Sequence, residues 1–183
     1  MLERYLIEHC APTLASLKTA NLFSLNFSSE KNFDKQFNKW NCQLGKKGIS
    51  LLLLHRYQQT ALIYVYRRGR LQNDLCKPGV AAFLAQYGYA STDVEYALLR
   101  LKERFGVGDK FPHEIGLFLD YPLGDVVGFI ENEGRNCKLA GCWKVYGDAR
   151  AASKLFAKFK KCKDVYSRLW SEGRTVLQLT VAA

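Results

Sequence analysis

The stretch ISLLLLHRYQQTALIYVYRR, residues 49–68, decides the fold. Two apolar runs flank a short polar turn at Gln58 and Gln59, the pattern of paired strands joined by a tight connection. The first run, Ile49 to Leu54, is almost continuously apolar, as a strand covered on both faces must be. In the second, Leu62, Tyr64 and Tyr66 share one face and Ile63 and Val65 the other. Arg67, Arg68 and Arg70 make a basic exit, with Gly69 predicting a turn.

Upstream, LFSLNF over 22–27 reads as a further short strand. Ser28 and Ser29 offer caps for a helix over 31–44, in which Phe33, Phe37, Trp40 and Leu44 recur at helical spacing. Before them, Leu2, Tyr5 and Leu6 mark one side of a short amphipathic helix over 2–9. Pro12 predicts the opening of a second helix, which sets Cys10 just ahead of a helix mouth.

Downstream, Pro78 predicts a helix that stops at Gly88. Thr92-Asp93-Val94-Glu95 reads as a capping box for a helix with Val94, Ala97, Leu98, Leu101 and Phe105 on one face. The following Gly106–Lys110 segment lacks the spacing of a phosphate loop. Pro112 opens a short helix that Tyr121-Pro122 ends, and a second short helix spans 123–131. A strand over 142–146 precedes Gly147-Asp148, which caps a long basic helix buried along Leu155, Phe156, Phe159, Cys162, Tyr166 and Leu169. A last strand is predicted over 175–181. The whole is an α+β single domain, 1–183, with a mixed or antiparallel sheet of about four to five strands packed by roughly six to eight helices.

With 183 residues the chain is long enough for a proper core, and its 48% apolar content is that of an ordinary folded domain. No run approaches the length needed to span a bilayer, and Glu3, Arg4 and Glu8 interrupt any leader-like start. A cytoplasmic location is therefore expected, with the six cysteines as thiols. The net charge of +10 favours anionic ligands, acidic partners or nucleic acid over cationic ones.

Three chemistries follow from these residues. His9 and Cys10 lie at one predicted helix mouth, and His113 and Glu114 at another, where unpaired amides favour a thiolate, carboxylate or phosphate. If the mouths converge, Cys10 is the candidate nucleophile or redox thiol, His113 its base and Glu114 the group orienting the ring. The same side chains suit a metal, and a buried thiol acting as a small hydrophobe is the plainer alternative for Cys10. A second candidate is a pocket for a planar cofactor or small ligand, lined by Tyr64, Tyr66, Trp143, Lys144 and Tyr146 with Arg56 at its rim. The cofactor itself is not specified. A third is a non-enzymatic module that binds nucleic acid or an acidic partner through Lys154, Lys158, Lys161 and Arg168, although no nucleic-acid motif accompanies them.

The phrases HCAPTLASLKTANLF, FPHEIGLFLDYPLGDVVGFIENEG and WKVYGD resemble a small bacterial family catalogued only as a domain of unknown function and met mainly in anaerobes. The resemblance spans nearly the whole chain. It implies a bacterial, intracellular protein and carries no catalytic residues over. The family's motif usually reads Leu-Gly-Tyr-Pro where this chain has Leu119-Asp120-Tyr121-Pro122, and Cys137 and Cys142 look like local additions.

Overall fold

The structure, a computed structural model, describes residues 2–106 and 111–182. The segment read above as unsuited to a phosphate loop lies, over 107–110, outside the described residues. β1 (Ala20–Asn26), β2 (Ile49–Tyr57) and β3 (Thr60–Arg67) form an antiparallel sheet in the order β1-β3-β2. The predicted hairpin is present, and Gln58 takes the turn with φ 48°.

Both faces of this sheet are covered, which is why β2 is almost continuously apolar from Ile49 to Leu54. On one face Phe23, Leu25, Leu51, Ile63 and Val65 pack against α1 (Leu2–Leu14) and α2 (Glu30–Gly45). The other face presents Leu52, Leu54, Tyr64 and Tyr66 to α3 (Arg68–Leu75), α4 (Val80–Ala85), α5 (Val94–Gly106), α6 (Ile115–Phe118) and α7 (Leu123–Glu131). Each large side chain buried this way contributes about 1.5–3 kcal/mol. A register shift between Leu53 and His55 leaves Leu54 unpaired against β3 and moves the following residues to the other face. Arg56 is thereby laid over Phe27 and Phe33, at 5.6 and 5.1 Å from the ring centroids, and pairs with Asp34 at 2.6 Å.

Several boundaries differ from the sequence reading. The expected strands of one sheet are divided: β4 (Leu139–Ala140) and β5 (Lys144–Val145) pair as a separate small hairpin. After α8 (Ala149–Ser171), residues 175–181 do not make a strand but contain α9 (Val176–Leu179). The reason is a capping box: the Thr175 hydroxyl accepts from the Gln178 amide at 3.2 Å while Gln178 Oε1 accepts from the Thr175 amide at 2.9 Å. Pro12 does not open a helix but sits in the last turn of α1, where its missing N–H removes a single bond. Gly69 lies inside α3 rather than in a turn. Asp93, one residue beyond Thr92, supplies the cap of α5 by accepting from the Tyr96 amide at 3.1 Å. The expected caps Ser29 of α2 and Asp148 of α8 are in place.

Arg67 joins these layers at the end of β3. Its guanidinium, 3% exposed, donates to the terminal carbonyls of α1, Thr13 O at 2.8 Å and Leu14 O at 2.9 Å, and to Val181 O at 2.7 Å. Among the described residues no helix is long and apolar enough to cross a membrane.

Candidate functional site

The turn between α6 and α7 and the β4–β5 hairpin build a site around two stacked rings. Asp120 takes φ 63°, a left-handed conformation that Asp tolerates better than most residues, and Pro122 restricts the residue before it. This sharp turn stands the Tyr121 ring against Trp143 at 4.8 Å between centroids, nearly parallel. Trp143 is held from behind by the edge of Phe156, 4.6 Å away on α8. A Cβ at Gly141 would collide with that same Phe156 ring, so the hairpin can approach α8 this closely only with glycine there.

Asp125, in the first turn of α7 and 4% exposed, holds the hairpin in place. Its Oδ2 accepts from Trp143 Nε1 at 2.8 Å, and its Oδ1 accepts from the backbone amides of Tyr146 at 2.8 Å and Gly147 at 2.7 Å. Three donors satisfy a carboxylate that burial would otherwise make costly. They also fix the plane of the indole.

Beside the stacked rings opens a chamber of about 390 Å³. Its lining is largely apolar: Leu22 from the sheet, Ile115 and Val126 from the helices, Leu119 just past α6, and the rings of Phe111, Tyr121, Phe129 and Trp143. His113 joins them, its imidazole 5.0 Å from Phe129 and 5.6 Å from Phe111. Lys144 borders the chamber while donating to Gly134 O at 2.6 Å. Such a volume falls within the range common for small-molecule pockets.

A second cavity of about 290 Å³ lies on the other side of a shared wall made by Leu22, Leu119 and Tyr121. Its lining carries the amines Lys18 and Lys163 beside the imidazole of His9, with Asn21 and Cys142. Lys18 is 5% exposed, and burial lowers its amine to about 8 despite the opposing influence of Cys142 and Asp120. Burial, reinforced by Lys163, also lowers His9. Burial pushes the Tyr121 phenol up to about 12.

The residues singled out from sequence are distributed unevenly over this geometry. Trp143, Lys144 and His113 border the chamber, and His9 borders the cationic cavity while stacking on Phe23 at 5.6 Å. Cys10 is at no helix mouth: it lies within α1, fully buried in the apolar core, and burial pushes its thiol far above the usual range. Glu114 is likewise buried, paired with Arg104 and accepting from the Tyr89 hydroxyl at 3.3 Å. Tyr64 and Tyr66 stack on one another inside the core, and the Tyr64 hydroxyl donates to Phe118 O. Tyr146 turns away to donate to Arg135 O at 2.8 Å, and Arg56 is engaged on α2. Among the described residues no group of three or more His, Cys, Asp or Glu side chains converges as a metal centre.

Asp125, Phe111, Phe129 and Lys18 were not singled out from sequence. Asp125 carried only the signal of an acidic residue in a helix's first turn, and Lys18 carried none, since it falls in a segment read as helical. Comparison with curated proteins and with solved structures yields no match. The family model described as Protein of unknown function (DUF3793) matches residues 6–180, nearly the entire chain, and the chain belongs to that family.

Proposed function

We propose that the protein binds a small organic molecule with a planar, largely apolar body in the chamber beside Tyr121 and Trp143. The observation that carries this reading is the Asp125 clamp. A buried carboxylate with three donors is an expensive way to hold an exposed-edge indole, and it fixes one wall of a concave apolar space ready for a flat ligand. Packing a ligand against rings already held in place costs little side-chain freedom on binding. His113 and Lys144 at the border supply polar contacts that orient the ligand.

This reading takes the small-ligand branch of the Cys/His expectation. A thiol buried in the core of α1, with its ionisation suppressed, offers no support for Cys10 as the nucleophile. The basic side chains of α8 stand on an exposed face, which a solvated helix surface explains equally well.

The test uses a neutral fluorescent probe, N-phenyl-1-naphthylamine. Binding in the chamber brightens the probe, and Ala140→Trp, which fills the chamber from its exposed border, abolishes the signal while leaving the fold intact by circular dichroism. An unchanged response in Ala140→Trp, or no response in the wild type, overturns the proposal.

A further inference from the structure

We infer that the cavity containing Lys18 is a second site, distinct from the aromatic chamber, that takes a small oxyanion, the phosphate or carboxylate group of a metabolite. The inference begins with an unbalanced charge. Lys18 is 5% exposed and lines this cavity; among the described residues no side-chain hydrogen bond or ion pair engages its Nζ, which keeps accessible surface within the cavity. Its contact is the face of Tyr121, whose centroid lies 5.0 Å from Nζ. A cation–π contact contributes about 1–2 kcal/mol and leaves the ammonium's N–H donors free to meet an anion in the cavity.

The cavity's other charged and titratable lining residues deepen the imbalance. Lys163 reaches it from α8 as a second cation; His9, lowered by burial and by Lys163, reaches it from α1 and brings no opposing charge. Asp120 is the carboxylate whose field reaches Lys18, and it is engaged by Lys77 at 3.5 Å. An anion entering here meets one desolvated ammonium, a second amine, and the Asn21 amide as a further donor. The space of about 290 Å³ exceeds a bare phosphate and admits the small body that carries it. The two cavities share a wall of Leu22, Leu119 and Tyr121, and the anion titration reads the lysine site with no ligand added to the chamber.

The test titrates the full chain with inorganic phosphate and, separately, with acetate, at matched ionic strength in chloride, by isothermal calorimetry and by reductive methylation of lysines read by mass spectrometry. The expected result is binding of one of the two anions, which identifies the class, together with protection of Lys18 from methylation. Lys18→Met weakens that binding about tenfold or more, the loss of one charge-assisted hydrogen bond. Lys163→Met, a surface change that leaves the core intact, weakens it less. Binding weakens as pH rises past 8, where the amine loses its charge. Two results would overturn the inference: neither anion binds or protects Lys18, or binding is equal in the wild type and Lys18→Met.

Discussion

The Trp143 indole N–H donates to Asp125 Oδ2 at 2.8 Å, and the same carboxylate accepts the amides of Tyr146 and Gly147 through its other oxygen. One buried side chain therefore sets both the backbone path of the β4–β5 hairpin and the plane of its aromatic ring. Asp125→Ala leaves three donors facing apolar surroundings and is expected to destabilise the fold by about 3 kcal/mol, read as a lower urea midpoint. Trp143→Phe removes one donor and keeps the stack, so it should cost less stability than Asp125→Ala. A smaller loss for Asp125→Ala than for Trp143→Phe would show that the carboxylate does not organise the hairpin.

Cys10 yields a prediction of the opposite kind, one of inertness. Its thiol has no exposed surface and burial disfavours the thiolate, whereas Cys42, Cys76 and Cys142 are exposed. A thiol reagent applied to the folded protein should modify the exposed cysteines quickly and Cys10 only on unfolding. Cys10→Ala should retain probe binding in the chamber and lower stability by about 1 kcal/mol through lost packing. Loss of ligand binding at unchanged stability would return Cys10 to the site.

Arg67 bonds to three carbonyls from two distant segments, Thr13 and Leu14 at the end of α1 and Val181 beyond α9. A planar guanidinium spreads its donors over Nε and Nη to reach all of them at once, and the single ammonium of lysine cannot. Arg67→Lys should therefore destabilise by about 2 kcal/mol, with Arg67→Met no better, and hydrogen exchange should quicken at the last turn of α1 and in α9 together. Exchange confined to one of the two segments would mean that the residue does not couple them.

How much of this was legible follows from which forces act locally. The hairpin of 49–68, the helix at 94–106 and the Asp148 cap were readable because alternation, helical spacing and cap chemistry act within a few residues. The α9 segment was misread because its apolar residues also suit a strand, although Thr175-x-x-Gln178 carried the deciding helix signal. Asp120 takes a left-handed φ of 63°, a backbone feature that its neighbours in the sequence do not announce. The site was legible in its aromatic residue Trp143, a neighbour of the chamber, but not as a whole. Tyr121 and Trp143 meet only through tertiary packing, and the isolation of Lys18 is a property of what surrounds it rather than of the residues beside it in the chain.

That isolation makes a signed prediction for stability against pH. Burial lowers Lys18 from its ordinary 10.5 to about 8, with Asp120, Cys142, Cys10 and Lys163 facing it and His9 and Tyr121 lining the same cavity. Between those two values the unfolded chain binds the proton that the folded chain has released, so unfolding takes up protons and stability rises with pH. The contribution is complete above 10.5 and lost as pH falls through 8; a shift of this size corresponds to about 3 kcal/mol. Other groups titrate in the same window, and the buried tyrosines act in the opposite sense, because their raised values favour the protonated folded form. Their effects cancel in the difference between wild type and Lys18→Met, provided both are measured in buffer free of phosphate and carboxylates. Lys18→Met should be the more stable protein near neutral pH, and its advantage should shrink steadily as pH is raised toward 10.5. A constant difference across that range would mean that Lys18 titrates in the folded protein as it does in water.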